Sequence, residues 1–345
     1  MTKPSTFPRP RRMLGALALI TGAALILAGC GTSGAGTPTG TKTITRPAGQ
    51  SSTAPSGTPS STKASLPAGP TTPVHVSINI SDGAQVGVGM PIIASFKVKL
   101  TSGVAFQKAT KVTVNGAPAK GAWYFEYSDP ASGHLMEAHY RLQNYWPAHA
   151  QIHMDLPVKG LSAGPGLSFD DSLTSDFTTG AAHISTVDDS THTMTVMSDG
   201  KLWGKFPVSL GAPKTPTLNG VKVIMEKGRD ISMRGPGYYD AHVKYTQRLT
   251  YGGEYLHSAP WNCNDVSAGC DSTGADHIGH FDSSNGCTNL RPDDAIKLYN
   301  FLTVGDVVQY PDASGHKMQL GDGYGDWNTA WPAWQAGIGS AVPTT

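Results

Sequence analysis

The residue best suited to chemistry in this chain is Cys287, which lies in the segment Ser-Ser-Asn-Gly-Cys-Thr-Asn-Leu at residues 283–290. A cysteine acts as a nucleophile in its thiolate form, which requires a nearby base or a positive field. Gly286 permits a tight turn, so that main-chain N–H groups around Asn285, Gly286 and Cys287 could stabilise a thiolate and form an oxyanion hole. The segment therefore predicts nucleophilic thiol chemistry beside an oxyanion hole.

Three histidines compete as the base that takes the thiol proton: His257, His277 and His280. Imidazole is the side chain that titrates closest to neutral pH. His257 ends the alternating stretch Glu-Tyr-Leu-His, which predicts a strand end, where a loop site can form. The other two lie in a looser segment beside a pair of cysteines, so we favour His257.

The four cysteines have three different predicted roles, which their surroundings indicate. Cys30 ends the run Leu-Ala-Gly-Cys after a basic start and an apolar stretch, and this pattern resembles a bacterial lipobox. Residues 1–29 are therefore predicted to be a lipoprotein signal peptide and Cys30 the lipidated residue, with ordinary cleavage and a spare thiol as the alternative. Cys263 and Cys270 lie close together, and in an oxidising envelope they would pair, which leaves Cys287 as the unpaired thiol.

A zinc site is the alternative for the paired cysteines. With two histidines they form the pattern C-x6-C-x6-H-x2-H, which has zinc-ligand residue types: Cys263, Cys270, His277 and His280. The spacing is not a common zinc spacing, and export favours the disulfide. We therefore expect no metal and no cofactor.

Residues 30–72 are dominated by Gly, Ser, Thr and Pro, and no acidic residue precedes Asp82. Such a segment cannot bury enough apolar surface to offset the entropy of ordering, so it is predicted to be a disordered tether. The net charge of +1 includes four basic residues of the predicted leader, and removing these four leaves −3. This balance gives no reason to expect a nucleic-acid partner.

Residues 73–180 have the pattern of an all-β domain. Apolar and polar residues alternate at 74–80 and 152–156, and the dipeptide at 115–116 is Asn-Gly, a hairpin signal. Short strands at this spacing predict an immunoglobulin-like β-sandwich that acts as a spacer. Four aromatic residues are expected to be buried, with a polymer-binding face as the alternative: Trp123, Tyr124, Tyr145 and Trp146.

Residues 181–311 predict a second β-rich domain. Alternating segments flank the turn at 198–200 as in a hairpin, and residues 305–310 predict a closing strand. Pro292, with two acidic residues after it, suits a helix N-terminus. Cys287 is therefore predicted to lie just before a short helix.

Two further segments are expected to frame the site. Residues 226–250 contain glycines and tyrosines without a regular pattern, and they predict a long connection that acts as a substrate lid. Residues 312–345 are predicted to be a C-terminal extension whose tryptophans pack on the second domain, with a sugar-binding row as the alternative: Trp327, Trp331 and Trp334.

The segment EYLHSAPWN at 254–262, followed by SSNGCTNLRPDDA at 283–295, resembles the L,D-transpeptidase catalytic domain of the YkuD type. That family joins an upstream histidine to a Ser-His-Gly-Cys-x-Asn motif. MPIIASF, YRLQNYWPA, FPVSLG, TPTLNGVKVIMEK and GDWNTAWPAWQAG resemble the actinobacterial, mycobacterial-type members. The resemblance covers residues 74–345 and implies a mainly β chain, with an immunoglobulin-like β-sandwich before the catalytic domain.

The resemblance assigns the three groups of the reaction centre. Cys287 matches the nucleophile, His257 the general base, and the main chain at Ser258 the group that orients the imidazole. The N–H groups of Asn285, Gly286 and Cys287 match the oxyanion hole.

The resemblance also assigns the substrate cleft. Asn289 stands at the terminal asparagine of the motif, and four residues match or adjoin positions that line the cleft: Tyr239, Tyr251, Gly252 and Gly253.

The family activity implied is peptidoglycan 3→3 cross-linking. The thiolate attacks the carbonyl of the third residue, meso-diaminopimelate, in a donor tetrapeptide stem and releases D-alanine; the side-chain amine of diaminopimelate on an acceptor stem then resolves the acyl-enzyme. Carbapenems are expected to acylate the same thiol.

A lipid anchor would hold the protein on the outer face of the cytoplasmic membrane, in the cell envelope. The alternatives are an L,D-carboxypeptidase-type hydrolase of the same fold and a catalytically silent wall-binding module.

The sequence departs from the family pattern at two places. Asn285 stands where the motif has histidine, and the interval between His257 and Cys287 is longer than usual by about the length of CNDVSAGCDSTG. The family base is the upstream histidine, which is retained, and asparagine can still donate hydrogen bonds. We therefore expect Asn285 to alter substrate contacts and thiolate stabilisation rather than to abolish turnover.

Overall fold

The structure is a computed structural model that describes residues 69, 71–128, 133–235, 237–337 and 340–342. The predicted signal peptide 1–29, the predicted lipidation site Cys30 and almost all of the predicted tether 30–72 lie outside the described residues. Over the ranges that the structure describes, no helix combines the length and the apolar character needed to cross a bilayer.

The first domain consists of short β-strands around an aromatic core. Its elements are β1 (Thr72–Val74), β2 (Val76–Ile78), β3 (Gln85–Val86), β4 (Ile92–Phe96), α1 (Val104–Ala109), β5 (Lys111–Val114), β6 (Ala117–Pro118), β7 (Gly121–Tyr127), β8 (Met136–Leu142), β9 (Gln151–Leu156), β10 (Ser162–Gly164), β11 (Leu167–Phe169) and β12 (Leu173–Thr179). The sheet orders are β1-β11-β10, β3-β12-β9-β5-β6 and β2-β4-β8-β7.

The alternation read from the sequence is the cause of this packing. In β9, Ile152, Met154 and Leu156 all point to the core while their neighbours are more exposed. Asn115 and Gly116 both have positive φ, 51° and 78°, as the two-residue hairpin between β5 and β6 requires. The predicted strands and hairpin are confirmed.

The aromatic residues of the first domain are buried, as expected. Trp123, Tyr124 and Trp146 are 2%, 7% and 2% exposed. Tyr145 is half-buried and packs edge-on against Trp327. Trp123, Tyr124 and Trp146 are buried, so the alternative of a polymer-binding face is wrong for these three. Tyr145 lines a pocket with Trp327 and Trp331, and for it the alternative stays a prediction.

The second domain contains two mixed sheets and one longer helix. Its elements are β13 (His183–Asp188), β14 (Thr193–Ser198), β15 (Lys201–Pro207), β16 (Gly220–Val223), β17 (Glu226–Gly235), β18 (Tyr238–Arg248), β19 (Tyr255–Ser258), β20 (Thr288–Leu290), α2 (Pro292–Phe301) and β21 (Val307–Tyr310). The sheet orders are β15-β14-β13-β21-β16 and β17-β18-β19-β20. The predicted hairpin at 198–200, the helix from Pro292 and the strand within 305–310 are confirmed.

The predicted irregular lid is instead a β-hairpin. Strands β17 and β18 pair antiparallel, with a register shift between Ile231 and Met233, and His242 and Tyr245 adopt positive φ. Most side chains of both strands are at least partly exposed, so neither strand shows the one-sided apolar alternation by which strands are recognised. The prediction failed because apolar–polar alternation, the sequence signal of a strand, arises only where one face of the strand is buried.

The predicted short helix after Cys287 is confirmed, but it does not follow the cysteine directly. Strand β20 follows Cys287 directly, and α2 begins only at Pro292.

The C-terminal extension packs on both domains, which corrects its assignment to the second domain alone. Helix α3 (Trp331–Gln335) carries Trp334, which is fully buried, stacks on Tyr124 at 4.9 Å and donates its indole N–H to the Ala122 carbonyl at 2.9 Å. Asn328 Nδ2 donates to the Val221 carbonyl of the second domain at 2.8 Å. Trp334 has no face left for a sugar, so the aromatic-row alternative is wrong for it.

Candidate active site

Two parallel neighbouring strands bring the candidate residues together. Strands β19 and β20 pair with His257 opposite Asn289, and Cys287 immediately precedes β20. Both His257 and Cys287 therefore face one cavity of about 180 Å³. Its lining is Met233, Tyr238, Asp240, His257, Trp261, Asn262, His277, Ser283, Ser284, Asn285, Cys287 and Asn289.

The imidazole of His257 is held in the form that can accept a proton. Its Nδ1 lies 2.9 Å from the Ser258 carbonyl oxygen, which can only accept, so Nδ1 carries the proton and Nε2 keeps its lone pair. Burial lowers the pKa of His257, only partly opposed by the bond to Ser258. The ring is therefore neutral at neutral pH and ready to act as a base.

The thiol of Cys287 is protonated at rest. It is 7% exposed, and its Sγ lies 3.5 Å from the Gly253 carbonyl oxygen, to which an S–H donates. Burial raises the pKa of Cys287 to about 12, against the opposing effect of the Tyr255 N–H; the Glu254 carboxylate also raises it. The resting pair is thus a neutral thiol and a neutral imidazole. The proton moves from Cys287 to His257 only when a substrate reacts, not in the free protein.

This resting state predicts a steep pH dependence of alkylation. At pH 7 we expect iodoacetamide to modify Cys287 about 10³-fold more slowly than an ordinary thiol, because so little thiolate is present. The rate should rise about tenfold per pH unit, since thiolate increases with pH until the pKa is reached. Peptide mapping by mass spectrometry will locate the modification, and the denatured chain is the control. A rate at pH 7 as fast as that of a low-pKa reactive cysteine would show a resting thiolate and contradict the assignment.

The main chain before Cys287 is fixed by side-chain hydrogen bonds. Gly286 has φ of +106°, and its N–H donates to Ser284 Oγ at 3.1 Å. The same Ser284 hydroxyl donates to the Cys287 carbonyl at 2.6 Å, and Thr217 Oγ1 donates to the Gly286 carbonyl at 2.9 Å. Of the three predicted oxyanion donors, the Gly286 N–H is therefore committed to Ser284 in this conformation, and those of Asn285 and Cys287 remain as candidates.

A buried ion pair that the sequence analysis missed supports this turn. Lys222 is fully buried, its Nζ lies 2.5 Å from Glu254 Oε2, and it sits 3.8 Å from the centre of the Tyr310 ring. Glu254 Oε1 also accepts from the Leu218 N–H at 2.8 Å. The Glu254 side chain packs behind Gly286, where an added Cβ would meet its Cγ at 3.6 Å. Only the position of Glu254 at the start of the EYLH segment could have signalled this role.

The hairpin β17–β18 supplies one wall of the cavity, and it does so with Tyr238 rather than with the predicted Tyr239. Tyr238, with Met233 and Asp240, lines the cavity, whereas Tyr239 is 59% exposed and its hydroxyl contacts Ser232 at 3.3 Å. Side chains alternate across a strand, so adjacent residues face opposite sides. A match to the family that is displaced by one residue along this strand therefore selects Tyr239 in place of Tyr238.

Of the other predicted substrate-binding residues, two lie at the cavity or the thiol and two do not. Asn289 lines the cavity, and within the described ranges its Oδ1 has no hydrogen-bond donor. The Gly253 carbonyl contacts the thiol. Gly252 is exposed, and Tyr251 interacts electrostatically with Glu137 of the first domain, its pKa raised chiefly by burial. Among the residues that the structure describes, neither of these two lines the cavity.

The segment 259–282 is a disulfide-stabilised loop. Cys263 and Cys270 are joined, as predicted, so they cannot act as zinc ligands and that alternative is wrong. His277 Nδ1 lies 2.9 Å from Asn262 Oδ1, and Asn262 in turn donates to Ser283 Oγ at 2.7 Å. His277 thus lines the cavity but is tied to a polar network, while the exposed His280 is not part of the cavity wall described here.

Comparison with known families assigns both domains. The profile of the L,D-transpeptidase catalytic domain matches residues 182–309, and that of a bacterial Ig domain matches residues 49–162. The mainly β fold, with an immunoglobulin-like domain before a YkuD-type domain and a short helix after the candidate site, is therefore confirmed.

Individual relatives agree with this assignment. L,D-transpeptidase 1 of Mycobacterium tuberculosis H37Rv is 30% identical over 248 residues, which are 69% of this chain and 84% of the relative. L,D-transpeptidase 2 of strain CDC 1551 is 30% identical over 281 residues, 78% of this chain but only 64% of that longer protein. The solved structure of LdtMt1 in complex with imipenem is similar at 28% identity and a TM-score of 0.54, over 70% of this chain and all of that one. With the histidine, the cysteine and their shared cavity in matching domains, this chain belongs to the L,D-transpeptidase family.

Proposed function

We propose that this protein is a cysteine-dependent peptidoglycan L,D-transpeptidase that forms 3→3 cross-links between meso-diaminopimelate residues of stem peptides. The observation that carries the proposal is the shared cavity of Cys287 and His257, with the imidazole fixed by the Ser258 carbonyl at 2.9 Å. A neutral base beside a neutral thiol is the starting state that acyl transfer requires.

Acylation follows from the proton positions. Nε2 of His257 takes the proton of Cys287 as Sγ forms a bond to the diaminopimelate carbonyl carbon of the donor stem. The N–H groups of Asn285 and Cys287 bind the oxyanion, and Asn289 Oδ1 is placed to accept a hydrogen bond from the stem. The imidazolium then gives its proton to the departing amine, so that D-alanine leaves and a thioester remains.

Deacylation uses the same groups in reverse. His257 removes a proton from the diaminopimelate amine of the acceptor stem, the amine attacks the thioester carbonyl, and the thiol is restored as the new amide forms. Cys287 is 7% exposed, so the thioester will be shielded from bulk water. Shielding favours transfer to an amine over hydrolysis, which supports a transpeptidase rather than an L,D-carboxypeptidase.

β-Lactams are proposed as inhibitors of the same site. The related LdtMt1 has been solved in complex with imipenem. A β-lactam carbonyl that enters the cavity of this chain would acylate Cys287 by the same chemistry. We further propose that lipidation of Cys30 anchors the protein on the outer face of the membrane, with peptidoglycan within reach of the tether.

Product analysis separates the proposed reaction from its alternatives. Purified protein is incubated with a tetrapeptide donor stem, with and without an acceptor stem, and the products are separated by chromatography and weighed by mass spectrometry. Dimers that require the acceptor are the expected result. Tripeptide and D-alanine alone would establish a hydrolase, and unchanged substrate on folded protein would support a silent wall-binding module.

Asn285 gives a second test of the catalytic assignment. The side chain is exposed at the cavity and makes no contact on which proton transfer depends, since His257 is oriented by Ser258. We expect Asn285→His and Asn285→Ala each to change kcat/KM by less than about tenfold, the effect of roughly one hydrogen bond. Steady-state kinetics of dimer formation measures this. An inactive wild type that Asn285→His rescues would refute the assignment.

A further inference from the structure

A second cluster of chemically competent side chains lies outside the lining of the cavity, where the first domain meets the C-terminal extension. His139 of β8 is 1% exposed, and both ring nitrogens face carboxylates. Its Nε2 lies 3.2 Å from Glu126 Oε1 and 3.3 Å from Glu137 Oε2, and its Nδ1 lies 2.9 Å from Asp326 Oδ1. The transpeptidase reaction proposed above uses none of these groups.

The distances around Nε2 match a metal coordination sphere. Zinc bonds to histidine nitrogen and carboxylate oxygen at about 2.0–2.1 Å, so two donors of a tetrahedral site lie about 3.3 Å apart. The two nitrogen–oxygen distances, 3.2 and 3.3 Å, equal that edge. The three candidate ligand atoms of Glu126, Glu137 and His139 all lie within 4.8 Å of one another. An ion at their centre would need little rearrangement.

Asp326 provides the outer contact that histidine ligands of metals require. A metal-bound histidine almost always donates its other N–H to a carboxylate or carbonyl, which fixes the ring. Asp326 is completely buried and accepts from His139 Nδ1, and Ser128 donates to Glu137 Oε1 at 2.6 Å. In the described part of the chain the second oxygen of Asp326, Oδ2, is buried without a hydrogen-bond partner. A buried oxygen of this kind is commonly satisfied by an ordered water or an ion.

The charges around His139 can accommodate a divalent cation. Three carboxylates surround one imidazole, and Arg141 of the same strand adds a positive charge that acts on Asp326. A neutral imidazole, three carboxylates, one arginine and one divalent ion sum to zero. Buried charges are tolerated when they are paired or coordinate a metal.

We propose that His139, Glu126 and Glu137 bind one Zn²⁺ ion, with water as the fourth ligand and Asp326 as the carboxylate that orients the histidine. Entry is open from the Glu126 side, whose side chain is 15% exposed. The ion would join strands β7 and β8 and fix the His139 ring against Asp326 of the segment Asp326–Asn328, which is also hydrogen-bonded to the second domain through Asn328. The site is therefore a structural clamp at the domain junction and does not depend on the proposed catalysis.

The test is a zinc titration of the full chain, free of affinity tags and stripped with chelator. A Cys287→Ala background removes the active-site thiol as a competing ligand. Isothermal calorimetry should give one equivalent of Zn²⁺ bound, and Co²⁺ should give the visible spectrum of a tetrahedral site with oxygen and nitrogen donors. At ion concentrations about a hundredfold above Kd, the thermal midpoint should rise by about 5 °C or more.

Five variants distinguish this site from others. Glu126→Gln and His139→Gln should each lose binding by more than about 100-fold, and Asp326→Asn should weaken it by about 10–100-fold, as expected for an outer-shell residue. His280→Gln, at an exposed histidine, should bind as the parent does. A second cluster, Asp189, His192 and Asp282, is the rival location, and Asp282→Asn tests it. The proposal would be overturned if Asp282→Asn lost Zn²⁺ binding while the other variants kept it. It would also be overturned if the folded parent bound no Zn²⁺.

Discussion

Replacing Cys287 with Ala will abolish covalent modification by imipenem and reduce dimer formation by at least about 10³-fold. The physical reason is that acyl transfer requires a nucleophile that can be deprotonated inside the cavity. The hydroxyls of Ser283 and Ser284 also line the cavity, but both are held in hydrogen bonds and are far weaker acids than a thiol. Intact-protein mass spectrometry should show one imipenem adduct on the wild type and none on Cys287→Ala.

Two further observations make this experiment decisive. Cys287→Ser keeps nearly the same volume, and it should also fail to form the adduct, since a hydroxyl is a far weaker acid and a poorer nucleophile than a thiol. Thermal unfolding verifies that each variant is folded. An adduct that persists on Cys287→Ala would place the nucleophile elsewhere. Absence of an adduct on folded wild type, with the thiol titrated as free, would instead support the silent wall-binding module.

Replacing His257 with Gln will slow acylation by about 10²–10⁴-fold, the usual contribution of a positioned general base. Glutamine can place an amide near the Nε2 position, but an amide cannot take the thiol proton. Because burial raises the pKa of Cys287 to about 12, the variant must wait for hydroxide to form the thiolate. Its residual rate should therefore climb about tenfold per pH unit through the alkaline range.

The wild type should behave differently. Burial lowers the pKa of His257, so the imidazole stays neutral to lower pH than an ordinary histidine, and the acylation rate should fall only below pH 6.5. Stopped-flow measurement of imipenem acylation between pH 5 and 9 compares the two profiles. His277→Gln is the matched control, because His277 lines the same cavity and its ring is bonded to Asn262. A larger loss with His277→Gln than with His257→Gln would reverse the assignment of the base.

Local patterns in the sequence were sufficient wherever a short-range rule applies. The alternation at 152–156, the Asn-Gly turn at 115–116 and the proline at the start of α2 each act over a few residues, and each is found as predicted. The disulfide between Cys263 and Cys270 spans only seven positions and was equally predictable. The same analysis failed on the hairpin β17–β18, because two strands with exposed faces carry no apolar alternation.

The sequence by itself predicted the groups of the candidate reaction centre: Cys287 as the unpaired thiol and His257 at a strand end, with the Ser258 main chain as its partner implied by the family resemblance. The protonation states, the support of the turn and the cavity wall were decided by the tertiary structure. The pair Lys222–Glu254 is 32 residues apart in sequence, Asp326 meets His139 across 187 residues, and Tyr238 rather than Tyr239 faces the cavity. The physical reason is that burial and long-range ion pairing exist only once distant strands have packed. Burial sets the pKa of the Cys287 thiol, and long-range pairing brings the Asp326 carboxylate to His139.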